Sequence, residues 1–91
     1  MASVIITFKV TLESPDVDAD GVKYKVINAI EDYGADVGKS EIEEVAYGIK
    51  AVKIIFIMDE SKGATDPLEE KVKEIEGVSS VEVVDVRRAI G

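Results

Sequence analysis

From Val4 to Glu13 the chain alternates: Val4, Ile6, Phe8, Val10 and Leu12 fall on one side, Thr7, Lys9, Thr11 and Glu13 on the other. A period of two with β-branched and aromatic residues predicts a strand with one buried face. Ser14-Pro15-Asp16 ends it, and the period then changes. Val22, Val26, Ile27, Ile30 and Tyr33 recur at helical spacing and form one apolar stripe. Asp16 and Asp18 are the candidate N-caps, since a carboxylate there faces the positive end of the helix dipole. Gly34 stands where a left-handed C-cap is expected. Val37 to Val45 is polar and weakly patterned, which suits a strand at a sheet edge, where Lys and Glu discourage edge-to-edge aggregation. Ala46-Tyr47-Gly48 is the following turn. Ile49 to Met58 is the second strand of that hairpin, with Val52, Ile54, Phe56 and Met58 on one face and Ala51, Lys53, Ile55 and Ile57 opposite.

Asp59 to Ala64 is a polar loop containing Gly63. A second helix is signposted by Asp66 as N-cap, Pro67 at the first helical position and Glu69 three residues after the cap. Leu68, Val72 and Ile75 form its stripe, Gly77 ends it, and Val78 could complete a Schellman ending. Val81 to Arg88 is the last strand, where the adjacent Val83 and Val84 break the alternation and suggest a bulge. The order β-α-β-β-α-β predicts an α+β ferredoxin-like sandwich, a four-stranded antiparallel sheet with both helices on one face. Right-handed crossovers then set the first and third strands, the two most apolar, at the centre.

Composition narrows the chemistry. Ninety-one residues make one domain's worth of chain, and the hydrophobic and charged fractions, 46% and 33%, are those of a globular one. Cys and His are both absent, which removes disulfides, thiolate sites, the commonest metal ligand and the Ser-His-Asp arrangement. A net charge of −8 argues against nucleic-acid binding, which draws its affinity from cations. No apolar run is long enough to span a membrane, and the N-terminus lacks a basic signal region, so a cytoplasmic location is expected. The open face of the third strand carries Lys53, Ile55 and Ile57, not the aromatics of RNA-recognition domains. The first loop holds neither a metal-binding Cys pair nor a phosphate-holding Arg. Asp16, Asp18 and Asp20 lack the Gly and Glu that complete a calcium loop, and cap the helix instead. Gly34-Ala35-Asp36-Val37-Gly38 follows a helix and precedes a strand, the reverse of a phosphate cradle. No cofactor or metal is expected.

Two features remain. Tyr47-Gly48 at the hairpin tip either leans onto the sheet or stands out as an anchor for a partner's pocket. Arg87-Arg88 is the only adjacent basic pair in an acidic chain. It could be spent on Glu82 or Asp85, or present its planar forks to a carboxylate or phosphate.

Ser14-Pro15-Asp16-Val17-Asp18, Ala46-Tyr47-Gly48-Ile49-Lys50-Ala51, Ile75-Glu76-Gly77-Val78 and Val84-Asp85-Val86-Arg87-Arg88 together resemble the short archaeal form of the translation elongation factor 1-beta family. The resemblance runs along essentially the whole chain. It implies residues 1–91 acting as one guanine-nucleotide exchange domain for elongation factor 1-alpha, a GTPase, with no covalent chemistry, no direct nucleic-acid or membrane contact and a monomeric free state. It implies that Tyr47 and Gly48, continued by Ile49 and Lys50, contact the GTPase. It further implies that Arg88, preceded by Arg87, is the basic residue that reaches the Mg²⁺ and phosphate region. Arg88 stands where eukaryotic members have Lys. On this expectation the hairpin aromatic and the basic residue both insert near that region. Two other readings are a regulatory or dimerisation module using Ile5, Ile55 and Ile57 on the open sheet face, and an enzyme built on paired carboxylates in a cleft.

Overall fold

The computed structural model describes residues 3–62 and 65–89, with only the backbone of Ala89; the expected loop positions Gly63 and Ala64 lie outside the described residues. Strand β1 (Ser3–Leu12) leads to helix α1 (Ala19–Asp32), then β2 (Asp36–Ala46), β3 (Ile49–Asp59), a short 3₁₀ turn (Glu60–Lys62), helix α2 (Asp66–Lys73) and β4 (Val78–Ala89). The strands form one antiparallel sheet in the order β2-β3-β1-β4. This is the expected ferredoxin-like arrangement, with the two most apolar strands at the centre.

The alternation of β1 becomes the core. Ile6, Phe8, Val10 and Leu12 are buried, as are Val52, Ile54, Phe56 and Met58 of β3, and Val22, Val26 and Ile30 of α1 and Leu68 and Val72 of α2 pack on them. Phe8 and Phe56 meet edge to face with centroids 4.8 Å apart, a geometry favoured by the ring quadrupole. β2 is an edge strand, and most of its residues are exposed. Among the described residues no helix is long and apolar enough to cross a membrane.

Local details depart from expectation at the helix ends. Asp18, not Asp16, occupies the N-cap of α1, and it makes no side-chain cap bond. Gly34, with φ 100°, closes α1 in a Schellman motif: Ala35 N–H donates to Ile30 O (3.2 Å) and Gly34 N–H to Glu31 O (2.9 Å). The cap of α2 is Thr65, one residue before the expected Asp66, so Pro67 follows the first helical position instead of filling it. Thr65 Oγ1 donates to Glu69 at 3.0 Å, tying cap and first turn together by a different bond from the expected one. α2 also stops early, at Lys73. Gly77 belongs to a separate turn in which Val78 N–H donates to Ile75 O, and its φ of 97° at the third position is that of a type II turn. β4 begins at Val78 and is bulged against β1 at the expected place: Thr7 faces Asp85 and Phe8 faces Val83, leaving Val84 extra.

Candidate partner-binding site

The β2–β3 connection is two residues long, Tyr47-Gly48, with φ of 52° and 79°. Two successive positive φ values are those of the type I′ turn, whose twist matches that of the flanking strands. Gly48 adopts this conformation freely. In Tyr47 the Cβ crowds the following carbonyl, at a cost of about 1–2 kcal/mol. A Cβ on Gly48 would stand 3.6 Å from Pro15, so the β1–α1 loop rests against the tip. The Tyr47 ring recovers nothing from packing, because it is 97% exposed. Of the two sequence readings, the side chain stands out. Val45 is exposed nearby, Ile49 is half-buried, and Lys50 is exposed opposite Glu44. An aromatic left fully solvated on a strained backbone is the kind of feature that serves recognition.

Arg87 and Arg88 sit near the end of β4 and point to opposite sides of the sheet. Arg87 pairs in register with Ile5 on the open face, and Arg88 with Val4 on the core side. Arg87 Nε donates to Asp85 Oδ2 at 2.9 Å, one of the two acids expected from sequence. Arg88 takes neither. Its Nη2 donates to both Glu60 oxygens, at 2.6 and 2.8 Å. Glu60 opens the 3₁₀ turn after β3, so the Arg88 side chain crosses β1 to reach it. Next to Glu60, the Ser61 backbone N–H donates to Asp59 Oδ1 (2.8 Å) and holds that carboxyl below its ordinary value of 3.8.

Tyr47 and Arg88 are not brought together. The hairpin tip adjoins Ile49, whereas Arg88 lies across Val4 from Met58, at the other end of β3. At about 3.3 Å per residue the two ends are ~30 Å apart. One phosphate-sized target is out of reach of both side chains at once. The sequence reasoning missed Glu60. The predicted topology contained the signal, since it sets the end of β3 and the end of β4 on either side of β1.

On the open face, rows across β4-β1-β3-β2 run Arg87, Ile5, Ile57, Asp36, then Asp85, Thr7, Ile55, Lys39, then Glu82, Lys9, Lys53, Glu41. The three isoleucines are contiguous, as the dimerisation reading requires, but charges border them on both sides. A shallow cleft of about 440 Å³ near the hairpin end is lined by Glu13, Val17, Asp18, Lys25, Glu76 and Gly77, among others. None of the described carboxylates is buried, so the paired-carboxylate reading finds no sheltered pair to raise a pKa. No cluster of three or more metal-ligating side chains occurs among the described residues.

Residues 5–89, which include both Tyr47-Gly48 and Arg87-Arg88, match the family described as the EF-1 guanine nucleotide exchange domain. The chain belongs to this family. It is 39% identical over 88 residues to elongation factor 1-beta of Methanothermobacter thermautotrophicus, covering 97% of this chain and 98% of that one. It is likewise 39% identical over 89 residues to elongation factor 1-beta of Staphylothermus marinus, covering 97% and 98%. Among solved structures, the ACT domain of GTP pyrophosphokinase from Chlorobium tepidum superposes with a TM-score of 0.62 at 18% identity, over 90% of this chain and 99% of that one. That likeness is one of fold. Family membership ties the chain to guanine-nucleotide exchange in translation elongation.

Proposed function

We propose that this protein accelerates the exchange of GDP for GTP on elongation factor 1-alpha by holding the GTPase at two ends, without covalent chemistry. The observation that carries the reading is the display of Tyr47: a wholly exposed aromatic, held on a strained turn, in a chain of the exchange family. Tyr47, with Gly48, Ile49 and Lys50 behind it, docks in an apolar pocket of the partner. Arg88, with Arg87 beside it, works ~30 Å away, at the Mg²⁺ and phosphate site.

The division of labour follows from electrostatics. GDP is held on a GTPase largely through Mg²⁺ and the phosphate-binding loop. A guanidinium brought to that site competes with Mg²⁺ for the same acceptors and weakens the nucleotide. The aromatic end supplies binding energy that does not depend on the nucleotide, and the rigid sheet converts it into placement of Arg88. The factor binds the empty GTPase better than the GDP form, and by linkage GDP weakens factor binding by the same ratio. The free factor acts as a monomer, since nothing in this mechanism needs a second copy.

Stopped-flow release of a fluorescent GDP analogue from elongation factor 1-alpha tests this. Tyr47→Ala is expected to raise the half-saturating factor concentration, and Arg88→Ala to lower the maximal release rate. Absence of acceleration by the wild-type protein would refute the proposal.

A further inference from the structure

We propose that Glu60 is an internal stand-in for the anion that Arg88 meets on its partner, and so governs how readily Arg88 engages; this rests on the exchange reading of Arg88. The pair is too exposed to be chiefly a folding device. Arg88 is 65% and Glu60 45% exposed at the side chain, and exposed ion pairs add little stability. It is nevertheless specific. Arg88 reaches past β1, about two strand spacings or ~10 Å, to Glu60. The long side chain lies over the half-buried Val4, its register partner, and keeps its head in water.

The atoms used are informative. Both Glu60 oxygens are bound by a single nitrogen, Nη2. A guanidinium offers two double-pronged approaches to an oxyanion, one through Nε and Nη2 and one through Nη1 and Nη2. Glu60 occupies the nitrogen common to both. A phosphate or carboxylate that takes Arg88 with two prongs therefore competes with Glu60 for this nitrogen. Engagement exchanges one anion for another and leaves an unpaired carboxylate beside the new one. Glu60 keeps the guanidinium extended and neutralised in the free protein, and sets a threshold that a weak or misplaced anion does not overcome. The nearby cation Lys62 sets its Nζ over the Tyr33 ring at 5.7 Å, and its charge also acts on Asp59.

The test is GDP-analogue release from elongation factor 1-alpha over a range of factor concentrations, using wild type, Glu60→Gln, Arg88→Ala, the double variant and Glu31→Gln. Glu31 is an exposed acid in the last turn of α1, near the same end of the protein. Glu60→Gln keeps the side chain's size and removes its charge. It is expected to raise the maximal release rate, the quantity that Arg88 governs, about two- to fivefold, the range of an exposed pair. Added salt should shrink the gain, and it should disappear in the Arg88→Ala background. No gain, a loss, a gain that persists without Arg88, or an equal gain from Glu31→Gln would each overturn the inference. Arg88→Ala without effect removes the exchange role of Arg88 and this inference with it. Slowing by Arg88→Ala together with an inert Glu60→Gln overturns this inference alone.

Discussion

On the proposed reading, stability and function pull in opposite directions at Tyr47, and substituting asparagine separates them. Tyr47 holds φ at 52° in the first position of a type I′ turn followed by Gly48. Asn-Gly is the favoured pair for that turn, because Asn tolerates the left-handed region where a bulky residue does not. Relief of strain is worth about 1 kcal/mol. Against it stands the loss of ring packing, which is close to nothing for a side chain that is 97% exposed. Tyr47→Asn is therefore expected to raise the melting temperature by about 4–8 °C, the shift that ~1 kcal/mol produces in a domain of this size. The same change removes the aromatic anchor. If that anchor is a hot spot worth ~2 kcal/mol, the half-saturating concentration in the release assay rises about 30-fold. Tyr47→Ala sharpens the comparison: alanine keeps the strain, so exchange should fall as far with little change in melting temperature. Thermal denaturation by circular dichroism beside stopped-flow release measures both quantities. A lower melting temperature for Tyr47→Asn would mean that the ring packs in solution, and unchanged exchange would mean that it touches no partner; either result refutes the reasoning.

Phe8→Ala should cost about 3–5 kcal/mol, because Phe8 is fully buried and meets Phe56 edge to face; urea denaturation reads this as a fall in midpoint at unchanged slope. The Asp59 carboxyl is held below 3.8 by the Ser61 N–H, so its contribution to stability is present above that pH and is lost as pH falls through the lowered value. Wild type should accordingly melt above Asp59→Asn at neutral pH, with the gap closing below about pH 4 in an acid titration.

The sheet was legible because its signals are redundant. In β1 every second residue from Ile6 to Leu12 is buried, and a slip of one position would expose all of them. The Val83-Val84 doublet located the bulge for the same reason, since two adjacent apolar residues cannot both fit the alternation. Helix ends were less legible, because several residues compete for each role. Thr65 and Asp66 are both good caps, and the chain placed Asp66 in the first turn, where its charge still faces the dipole. Gly77 looked like a helix ending because a positive φ serves equally in a C-cap and in a type II turn. Only the position of the preceding hydrogen bonds tells them apart. Glu60 carried no local pattern, and its meaning comes from a partner 28 residues away.

On the proposed reading, the separation of Tyr47 and Arg88 would let so small and acidic a protein act on a nucleotide site. A cation delivered alone to a Mg²⁺ and phosphate centre must compete with a divalent ion. A single Arg in a chain of net charge −8 has little long-range attraction to offer. The competition becomes favourable once the guanidinium is tethered, because an anchor elsewhere replaces free concentration with an effective one. That requires the link between anchor and cation to be stiff, and here it is β3, central, buried and paired on both sides. It also requires the anchor to be insensitive to charge, which an exposed tyrosine on a hairpin satisfies and a second Arg would not. Weakening the sheet between the two ends should therefore lower exchange even where both contact residues remain. A Phe56→Leu variant that stays folded, with Tyr47 and Arg88 intact, is expected to lose maximal release rate more than apparent affinity, as the anchor docks while the cation wanders. Equal loss in both, or none, would show that the two ends act independently.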